Sequence, residues 1–405
     1  MCLYLGTIGC TRINLIPYDV GFMVTPPFFL SLVILVLGLK DAFQIGIIHS
    51  LRLPAILTTI LIFWCLITGA LGEDPVISIR KIILLTIVVF SAFASFLCFE
   101  TSKNKKAIFK ISLIIFLTIY ISFSLTQGVI FYGYPELGTA KDDTEIQFIN
   151  LLPKTFAYFA PRISGCFLDP NIAGYCLIFI YTLNKNFGWF KIVNPLIFVL
   201  VIMTISRSSI ATIILVDFIF FFRNISAKKI LTFFMRGILF LGVGFLILEK
   251  LEIFEITKAL YNIQEAFSLR LEGDESSSIH NEIMLRGISL AIDNPFNFIR
   301  GYGFGTSYLF LTDIFGSTKY GNFHSEFLTI AIETGLIGLT IYLAICFTPA
   351  IKAIITFKNK PTLILSLVLI LSNIYYQQFM FHYYWLVLVG CWYFTHPKTQ
   401  KNGLC

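Results

Sequence analysis

Long apolar runs, separated by short polar connections, follow one another along almost the whole chain. Many have roughly the 20 residues that a helix needs to cross the hydrocarbon of a bilayer, whereas transmembrane β-strands alternate apolar and polar residues over segments of about ten. The pattern predicts an all-α, polytopic transmembrane helical bundle of roughly 10–12 spans. The predicted spans lie near residues 23–39, 53–72, 80–99, 107–130, 171–184, 192–206, 208–222, 231–249, 325–347, 361–376 and 379–395, with 3–20 as a candidate short additional helix.

The charges in the connections predict which side of the membrane each one faces. Alternate connections carry more than half of the 30 basic residues, and the remaining connections carry most of the acidic ones. Because basic excess marks the cytoplasmic side, we expect an inner-membrane protein whose acidic connections face away from the cytoplasm. The chain then divides into an N-terminal bundle (1–249, with outer loop 128–170), a large outer loop (250–323) and C-terminal helices (324–405).

The large loop is patterned rather than featureless. Apolar spacing over 253–263 predicts one amphipathic helix, and a second run from about 280 to 292 ends at Asn294-Pro295, a helix stop signal. The glycine-rich stretch 301–305 predicts a turn. Long ordered loops on a rigid scaffold commonly carry function, so we expect the functional residues at this face of the membrane.

Composition excludes several classes of protein. Hydrophobic residues make up 57% of the chain and charged residues 13%, more apolar surface than a soluble domain of this length can bury. The net charge of +7 follows membrane topology and predicts no nucleic-acid binding. The nine cysteines have no metal-ligand spacing, and neither a P-loop nor a hydrolase, zinc-protease or dinucleotide motif occurs. We therefore expect neither a metal nor a cofactor.

Arginines at the predicted outer ends of spans are candidates for binding an anion. Arg207 lies in the polar hinge 204–209, where it can anchor the chain at the interface or hold a phosphate with its planar set of donors. Arg162 precedes Asp169 and Asn171 at the start of another span. Asp169 can cap that helix and pair with Arg162, or Arg162 and Asn171 can contact phosphate or sugar.

His324 is the candidate for proton transfer. It lies where the large loop re-enters the membrane, and an imidazole can accept a hydroxyl proton near neutral pH. Helix capping or an interfacial position is the alternative for this residue. Glu333 is an acid inside the predicted span that follows, where ionisable groups commonly serve function, although it can instead bond to a neighbouring span.

The late part of the chain resembles a known family. His324-Ser325 followed by Gly335 and Gly338 gives the pattern His-Ser-x9-Gly-x-x-Gly, which resembles the signature of the O-antigen ligase and O-antigen polymerase superfamily. The loop segment 294–305, the Ser206-Arg207 hinge and the segment 162–171 also resemble motifs of that family. The family often has an arginine followed by tryptophan near the start of the loop helix, where this chain has His280-Asn281.

The resemblance implies an inverting glycosyl transfer at the outer, periplasmic leaflet of the bacterial inner membrane. Donor and acceptor would both be polyprenyl-diphosphate-linked glycans, anchored in the membrane lipid. His324 would act on the acceptor hydroxyl, and Arg207 with a loop arginine would bind the diphosphate. Arg286 is favoured over Arg270 for the loop position because it shares a predicted helix with His280. Arg162, Arg270, Asn171 and Glu333 are the expected substrate-binding residues, and a chain-length regulator could act as a partner.

Three alternatives to a surface-polysaccharide polymerase stay open. A ligase that transfers glycan to lipid A–core would carry the same motifs and differ only in its acceptor. A secondary transporter of an anionic solute would require charged groups near the bilayer midplane, whereas here they cluster at one face. A membrane acyltransferase would require a histidine near a cytoplasmic entrance, and His324 is expected outside.

Overall fold

The computed structural model describes residues 1–15, 24–45, 48–133, 162–222, 275–315, 323–356 and 360–395. Regular structure in these ranges is helical, which confirms the predicted all-α class. The helices are α1 (Cys2–Gly6), α2 (Pro26–Ile45), α3 (His49–Ala70), α4 (Pro75–Thr101), α5 (Lys105–Gly133), α6 (Pro170–Phe187), α7 (Asn194–Met203), α8 (Arg207–Phe222), α9 (Glu275–Asp293), α10 (Pro295–Arg300), α11 (Ser307–Phe315), α12 (Glu326–Thr356), α13 (Lys360–Tyr375) and α14 (His382–Phe394).

Four of the described helices, α3, α4, α5 and α12, are long and apolar enough to cross a membrane. Shorter apolar helices cover 191–203 and 361–375. Every predicted span inside the described ranges coincides with a helix, while the one at 231–249 and the amphipathic helix at 253–263 lie outside those ranges. The protein is a multi-pass membrane protein.

The two ends of α4 identify opposite faces of the bundle. At its first residues, Asp74 accepts a hydrogen bond from the Tyr308 hydroxyl of the loop at 2.7 Å. At its last turn, Glu100 pairs with Lys105 at 2.7 Å and accepts a bond from the Tyr393 hydroxyl. A helix of this length spans about 40 Å. The loop helices therefore lie at the end opposite the lysine-rich α4–α5 turn.

The N-terminal segment corrects the candidate helix at 3–20. Helix α1 stops at Gly6, and a turn follows in which the Cys10 amide donates to the Thr7 carbonyl. The chain then leaves the helical path because the amides of Thr11 and Arg12 both donate to the carbonyl of Cys166, at 3.1 and 3.2 Å. Pairing with a distant segment outcompetes continuation of a short helix.

Helix α12 departs from the single span predicted over 325–347. Its backbone breaks at Gly335, where φ is 71° and ψ is −175°, and it continues to Thr356. The part before the break packs against the loop, and the part after it is long enough to cross the bilayer. The predicted stop of the loop helix is correct, since α9 ends at Asp293 and Asn294 caps α10.

Candidate active site

The hinge before α8 and the segment before α6 lie side by side. The Ile163 amide donates to the Met203 carbonyl at 3.1 Å, and Arg162 Nε donates to the Thr204 carbonyl at 3.4 Å. Ile205 has a φ of +48°, which an L side chain rarely adopts. This turn ends the apolar helix α7 and begins α8 at Arg207, whose side chain is exposed.

Asp169 and Asn171 start α6 and join it to the rest of the site. Asp169 caps the helix by accepting bonds from the amides of Asn171 and Ile172 at 2.6 and 3.3 Å. The capping role considered for Asp169 is therefore confirmed. Asn171 Oδ1 accepts a bond from the Arg162 guanidinium at 2.9 Å, which orients that cation at the helix N-terminus.

Tyr376 connects this pair to His324. Its hydroxyl donates to Asp169 Oδ2 at 2.6 Å, and its ring centroid lies 6.2 Å from that of His324. One run of contacts thus leads from the α7–α8 hinge through Arg162, Asn171 and Asp169 to the imidazole. Sequence reasoning missed Tyr376, although its polar surroundings at 375–378 interrupt two apolar runs.

The serine of the His-Ser pair fixes the backbone that carries the imidazole. His324 has a φ of +55°, a strained value for a residue with a side chain. Ser325 Oγ accepts a bond from the Leu328 amide at 3.5 Å and donates to the Asn373 carbonyl at 3.4 Å. Helix cap and neighbouring span together hold His324, which is half-buried, in its orientation.

Buried Glu326 positions the backbone beyond Tyr376. Its Oε2 accepts bonds from the amides of Gln378 and Phe379, the latter at 2.8 Å. These two amides lie in the non-helical turn between α13 and α14 and cannot bond within a helix. The carboxylate therefore supports the turn next to the imidazole.

The first glycine of the signature permits the loop to dock on α12. The break at Gly335 frees three carbonyls from the helix, and each accepts a bond from elsewhere. The Ile332 carbonyl accepts from the Tyr302 amide at 2.9 Å and the Glu333 carbonyl from the Gly303 amide at 3.0 Å. The Thr334 carbonyl accepts from Trp64 Nε1 at 2.7 Å. The glycine spacing therefore has a structural reason.

The glycine-rich turn 301–305 also forms hydrogen bonds with residues near the start of α4. Ser78 Oγ donates to the Phe304 carbonyl at 2.6 Å and Lys81 Nζ to the Gly305 carbonyl at 2.7 Å. The pKa of the Tyr308 phenol is raised to about 12, mainly by burial and secondly by the hydrogen bond to Asp74. The pKa of Asp74 is lowered, mainly by the hydrogen bond from the Ile77 amide and secondly by the one from Tyr308.

The carboxylate of Glu333 contacts the loop. Its Oε1 accepts bonds from the amide and the hydroxyl of Ser307, at 3.2 and 2.7 Å, and the residue is 3% exposed. It thereby holds the first residue of α11. The contribution of Glu333 to substrate binding stays a prediction.

Arg286 lies on the loop helix next to Gly287, which faces the residue that precedes His324. A Cβ at the adjacent Gly287 would meet Phe323 and Leu328 at under 3 Å, so α9 packs directly on the start of α12. Arg286 is half-buried, and its Nε is buried with no hydrogen-bond partner among the described residues. Arg270 and the side chain of His280 lie outside the described residues.

Arg12 is a further residue near the site that sequence reasoning missed. Fully buried, it donates to the Gly165 carbonyl at 3.1 Å, to Ser164 Oγ at 2.7 Å and to the Leu168 carbonyl at 3.4 Å. These bonds hold the backbone of the segment between Arg162 and Asp169 in place. Over the described part of the chain, no three His, Cys, Asp or Glu side chains could together hold a metal ion.

Comparison with known families adds to this geometry. The sequence model of the family described as O-antigen ligase matches residues 193–343, which include the Arg207 hinge, the loop and the whole His-Ser-x9-Gly-x-x-Gly signature. This match confirms the predicted resemblance of the late part of the chain to the O-antigen ligase and polymerase superfamily. No curated protein sequence matches it. The family match begins after Arg162 and Asn171, so those two join the superfamily site through their contacts alone.

Proposed function

We propose that the protein is an O-antigen polymerase, an inverting glycosyltransferase that joins polyprenyl-diphosphate-linked repeat units at the periplasmic face of the inner membrane. The supporting observation is the run of contacts from the hinge of Arg207 through Arg162 and Tyr376 to His324. It brings cations suited to a diphosphate and one proton acceptor to the same end of the bundle.

The arginines would bind the leaving group. A guanidinium keeps its charge at any working pH and offers paired donors to phosphate oxygens. Arg207 starts α8, so the amides of that helix N-terminus add to its charge. The unpartnered Nε of Arg286 supplies a further donor, which a phosphate oxygen would satisfy. Negative charge grows on the diphosphate in the transition state, and these groups stabilise it.

His324 would act on the acceptor. The acceptor hydroxyl oxygen bonds to the anomeric carbon of the donor sugar while the carbon–oxygen bond to the diphosphate breaks. The hydroxyl proton passes to the imidazole, and polyprenyl diphosphate leaves with the bonding electrons. Attack from the face opposite the leaving group inverts the anomeric centre. The fixed backbone of the His-Ser pair keeps the imidazole in one orientation during these steps.

The single-variant experiment uses matched controls. His324→Ala and Arg207→Ala should abolish long-chain glycan at unchanged protein abundance, because Arg207 is exposed and His324 is only half-buried, so neither side chain is part of the packed core. His49→Ala and Arg80→Ala, at exposed positions elsewhere in the bundle, should leave chain length as in the wild type. Normal chain length in both site variants would refute the proposed active site.

A ligase is the second candidate, because the matched family carries that description. The two activities differ in their acceptor, so deletion of the gene separates them. A single repeat unit left on lipid A–core indicates a polymerase. Absence of any repeat unit there, with accumulation of lipid-linked chains, indicates a ligase.

A purified-protein assay tests glycosyl transfer against transport. The detergent-solubilised chain should elongate lipid-linked repeat units without other proteins and release polyprenyl diphosphate. Failure to form a glycosidic bond, together with solute movement across vesicles that contain the protein, would favour the transporter reading.

A further inference from the structure

One face of the loop helix α9 is apolar and exposed. Leu285, Ile288 and Ile292 follow the spacing i, i+3, i+7, which aligns them along one side of a helix. They are 64%, 43% and 71% exposed. The opposite side of α9 is already used for packing, since Ile283 and Leu290 are buried there. The helix thus has one apolar face against the protein and a second that no described residue covers.

The exposed face continues onto the next helix. Phe296 and Ile299 of α10 are 69% and 52% exposed. A contiguous row of five large apolar side chains exceeds what a water-facing surface of a soluble protein usually presents. The charged residues Glu282 and Asp293 are exposed on one flank of the row rather than within it.

The row lies next to the exposed surface of a helix that could cross the membrane. A Cβ at Gly335 would lie 2.3 Å from the Ile299 carbonyl oxygen, so α10 abuts the break in α12. The two residues after the break, Leu336 and Ile337, are exposed on a helix long and apolar enough to cross the membrane. Exposed apolar side chains are therefore found both on the span and on the loop helix that contacts it.

We propose that the apolar row 285–299 of helices α9 and α10 lies in the outer surface of the bilayer and contacts lipid acyl chains. Amphipathic helices insert an apolar face to the level of the headgroups in this way. Exposed Arg300, whose guanidinium lies 5.6 Å from the Phe296 ring centroid, is the group that reaches lipid phosphate at the edge of the row. A second copy of this chain or another protein is the rival occupant.

Lipid contact has a structural consequence for the loop. The buried face of α9 packs on the residues next to His324, so insertion of the opposite face would fix the height of this helix above the membrane. This surface does not depend on which glycan acceptor the protein uses, and it would be present equally in a polymerase and a ligase.

Photo-crosslinking in native membranes distinguishes the occupants. The photoreactive residue p-benzoylphenylalanine replaces Ile292, with Leu336 in the span as the lipid-facing control and Asp293 as the adjacent polar control. After irradiation, the mass of the purified chain identifies what was captured. We expect phospholipid adducts at Ile292 in a yield similar to that at Leu336, and about tenfold lower yield at Asp293.

The other outcomes overturn the inference. A covalent dimer would assign the row to an interface between copies, and an adduct with another protein would assign it to a partner. Absence of adducts at Ile292 with normal adducts at Leu336 would mean a water-facing row. Leu285, exposed on the same face, must behave as Ile292 does. Because both positions are exposed, neither replacement disturbs packing, and glycan length in the same cells separates this result from that of the active-site variants.

Discussion

Gly335→Ala tests whether the signature glycine exists to let the loop dock. Its φ of 71° and ψ of −175° lie in a region that essentially only glycine adopts. An added Cβ would lie 2.3 Å from the Ile299 carbonyl oxygen and 2.5 Å from the Gly301 amide nitrogen. Both are backbone atoms, so they cannot rotate away, and the segment 299–303 would have to separate from α12.

The cost follows from what the docking provides. An alanine forced into this conformation costs about 1–3 kcal/mol. The two bonds from the loop amides of Tyr302 and Gly303 to the carbonyls of α12 contribute about 0.5–1.5 kcal/mol each. Loss of both terms lowers the free energy of loop opening by about 2–6 kcal/mol.

Hydrogen exchange measures this change directly. The amides of Tyr302 and Gly303, which donate to α12, should exchange at least about twentyfold faster in Gly335→Ala, since every 1.4 kcal/mol corresponds to about a factor of ten. Long-chain glycan should be lost as well, because His324 lies two residues before α12, in the part of the chain on which the loop packs. Gly128→Ala is the matched control, since a Cβ at Gly128 meets no atom within 4 Å. Equal exchange in the two variants would refute the docking role.

Three further predictions concern the supports of the site. Arg12→Met should lower the free energy of unfolding by about 2–4 kcal/mol, because the buried acceptors on Gly165 and Ser164 lose a charged donor. A melting curve in detergent measures this loss. Tyr376→Phe keeps the ring beside the imidazole but removes the bond to Asp169. Transfer should slow about tenfold while the free energy of unfolding falls by only about 0.5–1.5 kcal/mol, and a lower melting temperature without slower transfer would contradict this. Because the pKa of Asp74 is lowered by folding, its stabilising contribution is present above the usual value of 3.8 and is lost as pH falls through the folded value. Exchange protection of α11, corrected for intrinsic rates, should therefore fall below about pH 4 in the wild type and not in Asp74→Asn.

The membrane class and the main site elements follow from the sequence. Apolar length alone predicts helices where α2 to α8 and α12 to α14 occur, because a chain in hydrocarbon must satisfy its backbone bonds within each segment. The signature His-Ser-x9-Gly-x-x-Gly led to the superfamily that the family match supports. These are local patterns, and the physics that produces them is local.

The long-range partners were decided by tertiary structure. Tyr376 meets Asp169 across 207 positions of sequence, and Arg12 meets Gly165 across 153. Side-chain periodicity gives which face of a helix is apolar, but not which neighbour fills it. The same reason explains Glu333, whose carboxylate meets Ser307 of the loop. The lengths of the apolar runs and the distribution of charges can be read directly from the sequence. A hydrogen bond between distant segments depends instead on how the spans pack.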